Sequence, residues 1–267
     1  MSRTIADVLH FRKDISPFLV HLTRNCSDKE FWLPQGTAKE RLREIIRQKK
    51  LVQTTEWVSR VALVNNNPQL IPRPETYRYF SAVCFTETPL DQVQCLLNIE
   101  GRSVDLQPYG LVFLKEKLRQ RHVSPVLYVN NAAGDAEAIL KAFLEMCQTQ
   151  PGAAEKIVPL VDFFGQTIDR NISQEGLAAE LDFSWEREWR LPHCFGDSTF
   201  DTSDVFIGLC PENETDEFEH LFAEIFGELP NVSEGRLQFI DPQRPLQWYA
   251  NKLIKARQQM DLPYSVV

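Results

Sequence analysis

Phe18-Leu19-Val20-His21-Leu22-Thr23 is the stretch on which the reading of the fold turns. Side chains alternate across a strand, so Phe18, Val20 and Leu22 share one face while Leu19, His21 and Thr23 share the other. The first face is wholly apolar and belongs to a core. The second carries an imidazole and a hydroxyl and is expected to meet something polar. A lone histidine on a strand is more often a hydrogen-bonded structural residue than a catalytic one. Thr23 offers a hydroxyl but no base, so no Ser-His-Asp arrangement is legible nearby.

Downstream, Thr37-Ala38-Lys39-Glu40 matches a capping box, in which Thr37 accepts from the Glu40 amide while the Glu40 side chain reaches back. Leu42, Ile45 and Ile46 then recur at helical spacing, with Arg41, Arg43, Arg47 and Lys49 away from them. This predicts an amphipathic helix that ends near Lys50. Ser81-Ala82-Val83-Cys84-Phe85-Thr86 reads as a second buried strand, stopped by Glu87-Thr88-Pro89 because proline lacks an amide hydrogen and disfavours helix at Thr88.

Further strands are predicted at Tyr109 to Phe113, Pro125 to Asn130, Trp185 to Leu191 and Asp204 to Leu209. Helices are predicted at Lys115 to Arg121, Ala133 to Cys147, Glu214 to Phe226 and Gln247 to Gln259. Strands scattered among helices without regular alternation favour α+β over a doubly wound parallel sheet. No repeat, low-complexity tract or flexible linker divides the chain. A single domain over residues 1–267 is expected, with a C-terminal helical extension from about residue 211.

Composition narrows the function classes. A hydrophobic fraction of 43% with 25% charged residues fits a globular chain and not a disordered one. No stretch approaches the roughly 18 uninterrupted apolar residues of a membrane helix, and Met1 to Lys13 lacks a signal-peptide core. A soluble, cytoplasmic protein without membrane association is expected. The six cysteines form no Cys-x-x-Cys pair, which reads as reduced structural thiols. None of the five histidines sits at zinc-ligand spacing, so no metal site is expected. A net charge of −8 argues against broad capture of nucleic acid. The basic stretches Arg41 to Lys50 and Lys115 to His122 read as solvated helix faces. Phosphate-cradling glycine loops are missing from the sequence.

The sharpest local signal is Trp185-Glu186-Arg187-Glu188-Trp189-Arg190. On an extended strand Glu186, Glu188 and Arg190 point one way and the tryptophans the other. Two carboxylates on one face repel and raise each other's pKa where partly buried. Such a row is expensive against an apolar core and makes sense lining a polar cleft. The plain alternative is a solvent-facing edge strand with ion pairs worth little.

In order, Val20-His21-Leu22-Thr23, Leu42-Arg43-Glu44-Ile45-Ile46, Val83-Cys84-Phe85-Thr86-Glu87, Tyr109-Gly110-Leu111-Val112-Phe113, Pro125-Val126-Leu127-Tyr128-Val129 and Glu186-Arg187-Glu188-Trp189-Arg190 resemble the AbiGi-type abortive-infection family of bacterial phage-defence proteins. The resemblance runs from about Phe18 to Leu191. That family is similar in turn to mono-ADP-ribosyltransferases, which split the nicotinamide glycosidic bond of NAD and pass ADP-ribose to an acceptor. The resemblance implies mixed, mainly antiparallel split sheets with flanking helices, and NAD as a substrate with no metal. It places the His, hydroxyl and Glu positions of the transferases on His21, Thr86 and Glu188. Glu186 becomes the candidate general base, and Thr23, Phe85 and Arg190 the further residues expected to hold the nucleotide. Leu22 stands where such enzymes often carry a small residue, and Phe85-Thr86-Glu87 replaces their serine-rich middle motif.

Three function classes follow. The first is an ADP-ribosyltransferase-like protein of a phage-defence or toxin–antitoxin system, modifying a protein or nucleic acid and partnered by a cognate toxin or antitoxin. The second is a non-catalytic binding module, antitoxin or sensor, on the same fold. The third is a hydrolase using the carboxylate pair, disfavoured because two carboxylates on one strand face cannot flank a bond from opposite sides.

Overall fold

The computed structural model describes residues 15–26, 36–52, 54–55, 81–97, 99, 105–129, 142, 145–146, 149–157, 161–163, 183–192, 198–227 and 236–262. The strands are β1 Phe18–Arg24, β2 Thr54–Thr55, β3 Ser81–Thr86, β4 Leu106–Leu114, β5 Ser124–Pro125, β6 Leu127–Val129, β7 Val161–Phe163, β8 Glu188–Pro192, β9 Val205–Leu209 and β10 Phe239–Ile240. The helices are α1 Ala38–Gln48, α2 Lys115–Arg119, α3 Pro151–Ile157, α4 Thr215–Phe226 and α5 Ala250–Gln259.

One mixed, mostly antiparallel sheet runs in the order β10-β9-β4-β1-β3-β8-β5, with β2 added on β3 and a separate parallel pair β6-β7. The fold is α+β with flanking helices, as the irregular alternation of elements predicts. β1 sits mid-sheet and is buried on both faces. Leu19 packs in a cluster with Leu42, Ile45 and Ile46 of α1 and Phe218 and Phe222 of α4. Phe18 and Val20 pack on the opposite side with Leu253 and Ala256 of α5. Burying each such side chain stabilises by about 1.5–3 kcal/mol before entropy is counted.

α1 forms as its sequence predicts. Thr37 caps it, with both halves of the capping box made, and Lys49 closes it in the left-handed conformation at φ 53°. α4 is tied to α1 by Lys39, which meets Glu214 and Glu217 at 3.0 Å each, and by Arg43, which donates to Glu217.

The C-terminal segment from about residue 211 carries α4 and α5, which cover the two faces of the sheet, and β10, which pairs with β9 in parallel. Its strand is only two residues long, too short for a period to register. The segment from Pro125 to Asn130 is not one strand, because β5 joins the main sheet while β6 leaves it for β7. The helix predicted at Ala133 to Cys147 lies for the most part outside the described residues.

Candidate functional site

The sheet is weakest between β1 and β3. The two strands meet through one register point, Val20 opposite Thr86. Continuing that ladder would place Leu22 opposite Cys84, but the strands part, and β2 takes the edge of β3 at Ala82 and Ser81. Backbone groups exposed by such a parting need partners. His21 supplies one: its Nδ1 lies 2.8 Å from the Cys84 carbonyl oxygen. A carbonyl only accepts, so Nδ1 bears the hydrogen and Nε2 is the acceptor nitrogen. Burial pushes the His21 pKa below its ordinary 6.5, outweighing the Cys84 hydrogen bond that acts the other way. The ring is therefore neutral near pH 7.

On the far side β1 stays close to β4, and Gly110 is the reason. A Cβ there would sit 2.2 Å from the His21 carbonyl oxygen. The main sheet is thus continuous with a local gap, where the resemblance implies split sheets.

A hollow of about 130 Å³ opens at this gap. His21 and Thr23 of β1, Phe85 and Thr86 of β3, and Glu186 and Glu188 line it. Of the seven positions that the sequence singles out, these six come together. Arg190 stands behind Glu188, with nothing of it exposed.

The arrangement of the acidic row differs from the strand expected at Trp185 to Leu191. Phe183–Glu186 is a 3₁₀ turn, Arg187 takes a left-handed φ of 47°, and β8 begins only at Glu188. Glu186 and Glu188 therefore share no strand face. Glu188 and Arg190 do, and they form a bidentate pair: Arg190 Nε donates to Oε1 and Nη2 to Oε2 of Glu188, both at 2.7 Å. The expected carboxylate repulsion gives way to a buried ion pair. The sequence row Glu-x-Glu-x-Arg contains both pairings, and only the kink at Arg187 decides between them. The same kink removes the strand-face reason for disfavouring a hydrolase, while the ion pair takes away the second uncommitted carboxylate that a hydrolase needs.

The threonine hydroxyls are engaged internally. Thr86 Oγ1 donates to the Glu186 carbonyl oxygen at 2.6 Å and contacts Thr88 through Oγ1 at 2.7 Å and N–H at 3.2 Å. It therefore holds the Glu186 turn in place. Thr23 Oγ1 lies 2.9 Å from the Ala38 carbonyl oxygen and 3.1 Å from that of Tyr109, bracing β1 against α1 and β4. Phe85 is core, edge-on to Phe113 and tilted against the His21 ring.

Four further residues bear on the site without having been singled out. Glu87 is buried and ties three elements: Lys115 donates to Oε1 at 2.7 Å, Trp189 Nε1 donates to Oε2 at 2.9 Å, and Arg187 lies 3.5 Å away. A carboxylate ending a strand gives no sequence signal of such a role. The Tyr128 hydroxyl accepts from the Glu188 amide at 2.9 Å, and burial raises its pKa. Arg41, expected on the solvated face of α1, lines the hollow instead, together with Arg24.

Among the described residues no group of His, Cys, Asp and Glu could hold a metal ion, and no helix is long and apolar enough to cross a membrane. No family model matches the chain, and no curated protein or solved structure does.

Proposed function

We propose that the hollow is the nucleotide site of an ADP-ribosyltransferase-like protein that takes NAD as substrate, in a bacterial phage-defence or toxin–antitoxin system. The observation that carries this reading is the convergence of His21, Thr86, Glu186 and Glu188, from three strands and a turn, on one gap in the sheet. His21 would accept a ribose hydroxyl at Nε2, since Nδ1 is committed to Cys84. Arg190 holds both Glu188 oxygens, and that carboxylate would face the positive charge that develops on the nicotinamide ribose as the bond breaks. Nicotinamide leaves with the bonding electrons, the acceptor's nucleophile attacks the ribose, and Glu186 takes the acceptor's proton. A hollow of about 130 Å³ is smaller than the roughly 300–1,000 Å³ of sites that enclose a drug-sized ligand. It would hold one ribose-sized portion, with the remainder along the mouth.

A second reading rests on one observation. The bidentate clamp of Arg190 on both oxygens of Glu188 offsets the negative field that catalysis requires, which favours a nucleotide-binding antitoxin or sensor without turnover.

Titrating NAD while following thermal unfolding, and measuring nicotinamide release by mass spectrometry, separates the two. A stabilising shift with release supports the transferase, and release should be lost in Glu186→Gln. A shift without release supports the binding module. Neither shift nor release at millimolar NAD sinks both. Growth arrest on expression, relieved by Glu186→Gln, would mark the chain as toxin, and the cognate antitoxin and the protein or nucleic-acid acceptor would be sought from there.

A further inference from the structure

We propose that the end of the hollow away from Glu188 is an anion subsite, in which Arg24 and Arg41 take a phosphoryl group. The charged residues along the gap are ordered. Glu188 lies opposite Thr86, which lies opposite Val20, where β1 and β3 still pair. Arg24 stands four residues further along β1, about 13 Å away at 3.3 Å per residue. Arg41 lines the same hollow from α1, apolar Ile45, Val52 and Leu106 line it too, and the β1 residues between Val20 and Arg24 are His21, Leu22 and Thr23. An acidic pole and a basic pole thus face one cavity across a neutral stretch. A ligand with a sugar at one end and a phosphate at the other matches that order.

The basic pole is built rather than incidental. The β1–β4 register shifts between Leu22 and Arg24, and irregularities of this kind re-aim the side chain that follows. Thr23, within the irregularity, is braced on the Tyr109 and Ala38 carbonyls. The same brace therefore fixes both arginines: Arg24 is the next residue, and Arg41 lies one turn along the helix that Ala38 begins. The α1 start supplies little of its own to an anion. The Thr37 amide donates to Glu40, the Ala38 amide to Asn25 and the Glu40 amide to Thr37. Cationic recognition at this end falls to the guanidiniums, whose forked donors suit phosphate oxygens.

The ligand class, a sugar phosphate or nucleotide, rests on the proposed nucleotide site; the anion subsite itself does not. The test is calorimetric titration of adenosine, ADP and inorganic pyrophosphate into the full chain and into Arg24→Gln, Arg41→Gln and Arg43→Gln. Arg43 pairs with Glu217 on α4 and serves as the charge-matched control. ADP is expected to bind at least tenfold tighter than adenosine. That margin should shrink to under threefold in Arg24→Gln and Arg41→Gln, persist in Arg43→Gln, and weaken with added salt. Pyrophosphate that binds the parent chain and is lost in both variants, with no adenosine or NAD binding, would keep the subsite while ending the nucleotide reading. Equal affinity for ADP and adenosine would overturn the subsite, as would an ADP preference untouched by either substitution, or the absence of binding by all three ligands. Arg24→Lys and Arg41→Lys keep the charge and guard against loss of fold, and should retain more of the ADP preference than the Gln variants while losing the forked contact.

Discussion

The Glu188–Arg190 pair makes the strongest quantitative prediction, because its two single variants and its double variant differ in expected cost. Arg190 is fully buried, and the Glu188 side chain is 11% exposed. Removing one partner of a buried ion pair strands the other charge and costs about 3–5 kcal/mol, whereas replacing both by apolar residues of similar volume is often neutral or stabilising. Arg190→Met, which leaves the carboxylate, should therefore cost about 3–5 kcal/mol. For a domain of this size that corresponds to a fall of roughly 6–20 °C in melting temperature. Glu188→Gln keeps one acceptor oxygen for the guanidinium and should fall at or below the lower end of that range. The double substitution Glu188→Leu with Arg190→Met should recover most of the stability lost by Arg190→Met.

Urea unfolding followed by tryptophan fluorescence reads these values directly, with Trp189 on the neighbouring strand position as a reporter. The interaction energy comes from the double-mutant cycle, which subtracts effects that each substitution makes alone. Costs that simply add, or an Arg190→Met chain within 1 kcal/mol of the parent, would show the pair to be solvated and would refute the electrostatic account. The outcome also governs how activity is interpreted. If Glu188→Gln destabilises as predicted, loss of nicotinamide release in that variant is ambiguous. Glu186→Gln, at a half-buried turn, is the variant that isolates chemistry.

The His21 pKa, lowered by burial, gives stability that is present above the ordinary 6.5 and is lost as pH falls toward the folded value, since the unfolded chain binds the proton first. His21→Asn, whose amide can still donate to Cys84, should flatten that acid-side decline relative to the parent chain in pH-dependent unfolding. Thr86→Val removes the donor to the Glu186 carbonyl and should cost about 1–3 kcal/mol. Any NAD turnover should fall with it, and combining it with Glu186→Gln should bring no further loss. Gly110→Ala sets a Cβ against the His21 backbone oxygen, so its cost should reach or exceed the roughly 3 kcal/mol upper end of ordinary overpacking, read as a lower urea midpoint.

Legibility in the sequence followed the range of the forces involved. β1, α1 and β3 were readable because alternation, a capping box and a proline stop are local signals, and the observed bounds Phe18–Arg24, Ala38–Gln48 and Ser81–Thr86 match them closely. The acidic row was misread for an equally physical reason. A left-handed Arg187 costs conformational energy that no periodicity reveals, and it persists because the Arg187 carbonyl accepts the Glu87 amide while Thr86 fixes the Glu186 carbonyl. Those partners lie about a hundred residues away. Glu87 itself was invisible for the same reason, since its three cationic or N–H partners come from positions 115, 187 and 189.

One cause underlies both the gap and the residues gathered there. Once β1 and β3 part after Val20 and Thr86, each strand exposes backbone groups that an apolar neighbour cannot satisfy. Polar side chains are then required at positions that a continuous sheet would fill with Val or Ile, and His21 meets that need at the Cys84 carbonyl. Thr86 and Thr23 serve neighbouring carbonyls in the same way. Their presence alone therefore follows from folding and does not require a ligand. What folding does not require is a buried Glu188–Arg190 pair at the wall of the hollow. Apolar replacements of that pair would serve stability as well or better. The pair, added to the imidazole and the hydroxyls, is what makes their convergence at the gap point to a ligand.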